Sequence, residues 1–311
     1  MTFIGVSIDV TEALPVDATA GRRIDIASWI FPPAPDQVPE VPSTIVLLNG
    51  GTYDKRYHHF EVPGRTGYSV AEALAQRGHL VILPDHLGVG ESSRLPGQKK
   101  ATREVAAMAN HAAVTEIYRR LENGSLAPSM APMPRFVKAG GGHSMGGSQS
   151  LAQQAAFATY DRLLIMGFSA IGVHIPTPEG LVPGDEVPVR DGDYPLESHE
   201  LMAHNFHWQD VPDDVRRVDC ALAVPVPQLI SYSAIKRGIA KNDAACIKVP
   251  VYICLGERDV SPSPHDEPAC YNSSQDVTLH ILPKSGHCQA FASTRMQMID
   301  RIDGWLRGLS G

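Results

Sequence analysis

Residues 136–158 read FVKAGGGHSMGGSQSLAQQAAFA, and the rest of the chain can be organised around them. Phe136 to Ala139 reads as a strand and Gln149 to Ala158 as a helix. Between them Gly142, His143, Ser144, Met145 and Gly146 form the pattern GxSxG. Such a short pattern is weak evidence by itself. A strand before it and a helix after it supply the context of a nucleophile elbow, a sharp turn that presents the serine. Glycine is needed on both sides because a Cβ there would strike the neighbouring strand or helix. Gly140, Gly141 and Gly142 are expected on the turn itself.

A serine hydroxyl is a poor nucleophile until a base takes its proton, and the base needs a carboxylate to orient it. Both follow later in the chain. The apolar run Val251 to Leu255 ends in Gly256, Glu257, Arg258, Asp259, which puts Asp259 beyond the carboxyl end of a strand. A further strand, Val277 to Leu282, ends in Pro283, Lys284, Ser285, Gly286, His287. Ser144, Asp259 and His287 are therefore the expected nucleophile, orienting acid and base. Among the rivals, Asp266 lies in a proline-flanked loop, Glu257 is expected to face solvent and His280 lies inside a strand. His265 also competes with His287. His143 is read as packing against a neighbouring strand, and Cys288 as a bystander thiol.

Further outward, Thr44 to Leu48, Leu80 to Leu83 and Leu163 to Phe168 are short, continuous apolar runs. Strands of that kind are buried on both faces, as in a parallel sheet covered by helices. Phe3 to Val10 and Arg22 to Phe31 alternate instead, as an antiparallel edge with one wet face should. Helices are predicted over Val70 to Arg77, capped by Ser69 and Glu72 and stopped by Gly78, and over Thr102 to Glu122. A last helix from about Thr294 places Met298, Ile299, Ile302, Trp305, Leu306 and Leu309 on one face. The fold class is α/β.

Residues 176–245 break the rhythm. They hold eight of the 25 prolines, no strong strand run, and short helices expected around Glu200 to Asn205 and Gln228 to Arg237. Pro176 to Glu200 carries seven acids against Arg190 alone, which accounts for most of the net charge of −7. A structureless loop this long is unusual in a compact domain. The expected organisation is a core of residues 1–175 and 246–311 with an inserted cap, or lid, at 176–245.

Composition narrows the function. With 43% hydrophobic and 20% charged residues the chain has the balance of a globular protein. A net negative charge gives nucleic acid or an anionic membrane no general attraction. Met1 to Val10 does not read as an export signal and no apolar run is long enough to span a bilayer, so a cytoplasmic protein is expected. Five cysteines without CxxC spacing indicate neither a zinc site nor a full disulfide framework, so no metal is expected.

The elbow at Ser144, the run ending in Asp259, the Gly286 and His287 pair, and the segment Asp85 to Ser92 (DHLGVGES) together resemble the α/β-hydrolase superfamily, specifically its serine esterases and lipase-like members. The resemblance covers nearly the whole chain. It implies an α/β-hydrolase fold, no cofactor, and an oxyanion hole built from the backbone N–H groups of Met145 and Gly51. Where the superfamily commonly has His-Gly, this chain has Asn49, Gly50, Gly51, Thr52, and the Asn49 side chain is expected to hold the loop backbone in its place. The expected reaction is hydrolysis of a carboxylic ester of a small molecule through an acyl-enzyme. Lactones, thioesters and carbon–carbon bonds remain open to the same residues, as does a non-catalytic ligand-binding homologue. A homo-oligomer also remains open. Asn49 to Tyr57 and Asp85 to Ser93 resemble bacterial hydrolases of monoalkyl phthalates. Such a substrate keeps a carboxylate, for which Lys55, Arg56, His58 and His59 are candidate partners. Thr52, His58, His59 and His143 are the candidate substrate contacts.

Overall fold

The computed structural model describes residues 3–97 and 100–308. Its centre is an eight-stranded sheet in the order β1-β2-β4-β3-β5-β6-β9-β10. The strands are β1 (Ile4–Asp9), β2 (Asp25–Phe31), β3 (Ser43–Leu48), β4 (Leu80–Pro84), β5 (Val137–His143), β6 (Arg162–Met166), β9 (Val251–Gly256) and β10 (Val277–Leu282). β1 pairs with β2 and β2 with β4 antiparallel, and every other pairing within this sheet is parallel. The antiparallel edge and parallel body thus follow the two kinds of hydropathy pattern.

Helices α1 (Val16–Thr19), α2 (Val70–Ala75), α3 (Arg103–Glu122), α4 (Met145–Phe157), α5 (Ala203–Phe206), α6 (Asp213–Cys220), α7 (Gln228–Ile235), α8 (Lys241–Cys246) and α9 (Arg295–Gly308) complete the chain. Alternate residues of the inner strands supply two cores. Val46, Leu80 and Ile82 pack with α3 and α4 on one face, and Ile45, Leu47, Val81 and Leu83 pack with α2 and α9 on the other. Each such fully buried aliphatic side chain contributes roughly 1.5–3 kcal/mol. Met298, Ile299, Ile302 and Leu306 are the buried face of α9, with Trp305 half-buried beside them; Leu309 lies outside the described residues. Ser69 accepts a hydrogen bond from the Glu72 N–H at 3.1 Å, and Gly78 ends the turn at φ +89°. No helix among the described residues is long and apolar enough to cross a membrane.

Two expectations need correcting. Gly140, Gly141 and Gly142 are not a turn: they are the second half of β5, paired with Leu163, Leu164 and Ile165 of β6. They are glycines because neighbours leave no room. A Cβ on Gly140 would enter the Tyr160 ring, one on Gly141 would collide with the Leu164 carbonyl, and one on Gly142 would lie 2.6 Å from the Leu48 carbonyl oxygen. The stretch after β6 also contains a strand pair, β7 (His174–Thr177) and β8 (Gly180–Pro183), so the boundary at 175/176 falls within β7. Helix α6 was not expected. Its signals are present in retrospect: Pro212 and two acids open it, and Val215, Val218, Asp219 and Leu222 recur at helical spacing.

Candidate active site

β5 delivers the chain to Ser144, which caps α4 with φ +54° and ψ −118°. A non-glycine residue in this region is strained and persists only where its surroundings over-determine it. Here the Ser144 N–H donates to the Met166 carbonyl at 2.8 Å, and the Ser144 carbonyl accepts from Ser148 at 3.1 Å. The Met145 N–H heads the helix, so it has no intrahelical partner. Gly51 lies across from it: a Cβ on Gly51 would sit 3.8 Å from Met145 Sδ. The Asn49 side chain donates to the carbonyls of Gly50 and Tyr53 and so closes the loop between them.

Asp259 and His287 lie at the ends of adjacent parallel strands and are both buried. Asp259 Oδ1 accepts from His287 Nδ1 at 2.6 Å. The same carboxylate accepts from the Gly256 and Val260 N–H groups and from Gln289 Nε2, each at 2.8 Å. With Nδ1 donating, the neutral imidazole carries its lone pair on Nε2. Ser144 and His287 line one cavity of about 360 Å³, together with Gly51, Met145, Phe168 and Phe206. Its wall is predominantly apolar, and a large part comes from residues 187–235.

Of the other predicted contacts, Thr52 and His143 line the cavity. His143 Nε2 donates to the His287 carbonyl at 2.8 Å and its ring stacks on Tyr57 at 4.7 Å. Burial, then the nearby His287, push its pKa well below the ordinary histidine value. His58 and His59 are not brought to the cavity. His58 is buried, donating from Nε2 to the Leu48 carbonyl at 3.2 Å, and burial lowers its pKa to about 4. His59 accepts from Ser69 Oγ at 2.8 Å and packs among aromatic rings, 4.9 Å from that of Phe31. Lys55 and Arg56 are likewise unavailable to a substrate carboxylate. Lys55 is buried between Asp85 (2.5 Å) and Glu91 (2.6 Å), and Arg56 pairs with Asp54 at 2.8 Å. These cations serve the loop, because a buried ammonium requires a partner.

The rivals fall elsewhere. Asp266, His265 and Glu257 are exposed. His280 meets the Tyr252 hydroxyl at 2.8 Å, and Cys288 is buried 3.4 Å from that of Tyr53. What the sequence reading missed is a polar cluster beside the cavity, in which the buried Asp219 meets Tyr53, His199 and His207. All five cysteines are free, with Cys220 and Cys246 exposed.

Against known proteins, the family described as "Alpha/beta hydrolase family" matches residues 45–295. A comparison with curated proteins finds no match. Among solved structures, a thermophilic esterase from Thermogutta terrifontis is similar at 18% identity and a TM-score of 0.59, with all of both chains covered. An esterase from Exiguobacterium antarcticum shares 15% identity at a TM-score of 0.66, covering 93% of this chain and 98% of its own. A bromoperoxidase from Bacillus anthracis shares 14% identity at a TM-score of 0.63, covering 98% of this chain and 100% of its own. Likeness at these identities concerns the fold, which hosts more than one reaction.

Proposed function

This chain belongs to the alpha/beta hydrolase family, and from that premise we propose that it hydrolyses carboxylic esters through an acyl-enzyme on Ser144. The observation that carries the reading is the Asp259–His287 hydrogen bond at 2.6 Å beside the cavity that Ser144 also lines. His287 Nε2 takes the hydroxyl proton as Ser144 Oγ attacks the ester carbonyl. Asp259 holds the ring and stabilises the imidazolium, which then protonates the departing alcohol. Water repeats the sequence on the acyl-enzyme, releasing the acid and restoring Ser144. The Met145 and Gly51 N–H groups receive the oxyanion, each such donor typically contributing ~10²–10³ in rate.

Residues 176–245 act in this reading as a cap, since they supply Met202, Phe206, Val226 and Ile235 to the cavity wall. The wall favours a neutral, largely apolar ester. Its arginine, Arg190, is paired with Glu197 at 2.7 Å, so a monoalkyl phthalate would find no unpaired cation among the described residues there. Lactones and thioesters suit the same groups.

The test is turnover of p-nitrophenyl butyrate together with labelling by a fluorophosphonate probe. Ser144→Ala is expected to lose both. Wild-type turnover in that variant, or a label on another residue, would refute the assignment. Absence of multiple turnovers with any ester would favour a binding protein. Comparing a monoalkyl phthalate with its neutral dialkyl ester tests the preference for an uncharged substrate.

A further inference from the structure

Asp219 is wholly buried on the inner face of α6, outside the groups that carry out the proposed reaction. Its Oδ1 accepts from the Tyr53 hydroxyl at 2.8 Å and from His199 Nδ1 at 3.2 Å, a proton shared with the Asp219 backbone carbonyl at 2.9 Å, and its Oδ2 accepts from His207 Nε2 at 2.9 Å. Burial pushes its pKa up, but the hydrogen bonds from His199 and His207 outweigh this and hold it below the ordinary value. A buried carboxylate with polar partners is seldom the most stable filling of such a site, because apolar residues of similar volume often do as well or better. Its placement suggests another use.

One arm runs to the oxyanion loop. With His199 Nδ1 donating to Asp219, its Nε2 is left as an acceptor, so the Thr52 hydroxyl donates to it at 2.8 Å. Thr52 has φ +73°, a conformation rare for a β-branched residue. A second bond from the same segment, Val224 N–H to the Thr52 carbonyl at 2.9 Å, pins it there. Thr52 adjoins Gly51, so its conformation sets the course of the loop on which Gly51 lies. The other arm runs to the base. His207 follows α5, whose last residues accept from the backbone of the histidine loop: Asn205 from His287 N–H at 2.8 Å, and Phe206 from Cys288 N–H at 3.1 Å. Arg258, next to Asp259, donates to the His207 carbonyl at 2.6 Å.

We propose that Asp219 is a positioning residue which, through His199 and His207, keeps the oxyanion loop in register with the loop that carries His287. The inference rests on the ester-hydrolase reading for its kinetic consequences, although the register itself is a property of the fold. Asp219→Asn keeps the shape and leaves a neutral amide, which serves the two imidazoles less well. Its kcat for p-nitrophenyl butyrate should fall on the order of 10²-fold, the penalty for misplacing reacting groups by about 1 Å, while KM stays within about threefold. Fluorophosphonate labelling of Ser144 should slow in step. Thr52→Val, which removes only the hydroxyl, should lose about tenfold in kcat, and Thr52→Ser should restore most of it.

Hydrogen exchange provides a readout that needs no catalysis. Asp219→Asn should accelerate exchange at both Gly51 to Tyr53 and His287 to Gln289, with β3 and β5 unchanged. Thr52→Val should accelerate only the first segment, and it carries the test should Asp219→Asn fail to fold. Unchanged exchange at the two loops, or an effect confined to KM, would overturn the proposal. A wild-type protein without Ser144-dependent turnover would overturn the esterase reading instead, and exchange would still judge the register.

Discussion

Two alignments of hydroxyl, imidazole and carboxylate lie side by side in this molecule. In one, Asp259 orients His287 beside the cavity that also holds Ser144; in the other, Asp219 orients His199, which accepts from Thr52. The residue types are nearly the same, and the surroundings differ. Ser144 stands at the head of a thirteen-residue helix, where backbone N–H groups are free to receive negative charge. Thr52 heads no helix, and its hydroxyl is committed to His199, within residues 176–245. In the reading proposed above, such a series reacts only where the hydroxyl is uncommitted and a donor set faces the developing charge. Elsewhere the same series serves as scaffolding.

The largest expected effect concerns the first alignment. Asp259→Asn should lower kcat for p-nitrophenyl butyrate by about 10³–10⁴-fold, because the amide favours the wrong imidazole tautomer. The corresponding change at Asp219 should cost far less. Equal losses at the two positions would erase the distinction, and stopped-flow or steady-state assays can measure both. Next comes Gly141→Ala. Its Cβ meets the backbone of β6, which cannot yield, so denaturant melts should show a loss of about 3 kcal/mol, at the upper end of overpacking, or no soluble protein.

Acid should act on the fold. Burial lowers His58 and His86 to about 4, whereas the unfolded chain takes up these protons near the ordinary value of 6.5. Their contribution is therefore complete above about pH 6.5 and is lost as the pH falls towards 4, on the order of 2–3 kcal/mol each. Thermal melts across that window should show the decline, and a flat Tm would contradict the burial of these rings. The smallest effect is expected at the cavity rim. Arg190→Gln breaks a half-exposed ion pair and should shift stability by less than about 1 kcal/mol. It should leave turnover of a neutral ester within about twofold; a selective loss with a monoalkyl phthalate would instead identify Arg190 as a carboxylate partner.

The sequence made the sheet readable because its inner strands are uninterrupted apolar runs and its helices carry caps. Ser144, Asp259 and His287 were legible as candidates because each lies within five residues of the carboxyl end of a strand. The β5 glycines were not, since glycine has low strand propensity and their requirement comes from Tyr160, Leu164 and Leu48, partners distant in sequence. His58 and His59 read as loop residues from their neighbours alone, while their burial depends on Leu48 and on the rings around Phe31. Asp219 could have been noticed as an acid on the apolar face of a helix starting at Pro212. Its histidines could not, because contacts across the irregular segment 176–245 leave no periodic trace.

The distribution of free thiols has a practical consequence. Cys254 and Cys288 are buried, and burial raises both thiols well above the ordinary cysteine value; Cys270 is half-buried; and Cys220 and Cys246 are exposed. Alkylation therefore divides the chain into two accessible sulfurs, one half-buried sulfur and two protected ones. Cys220 directly follows Asp219, so a fluorophore attached there, with Cys246 replaced by serine, would sit one residue from the carboxylate that joins the two loops. The protein carries its own attachment point for observing that junction optically.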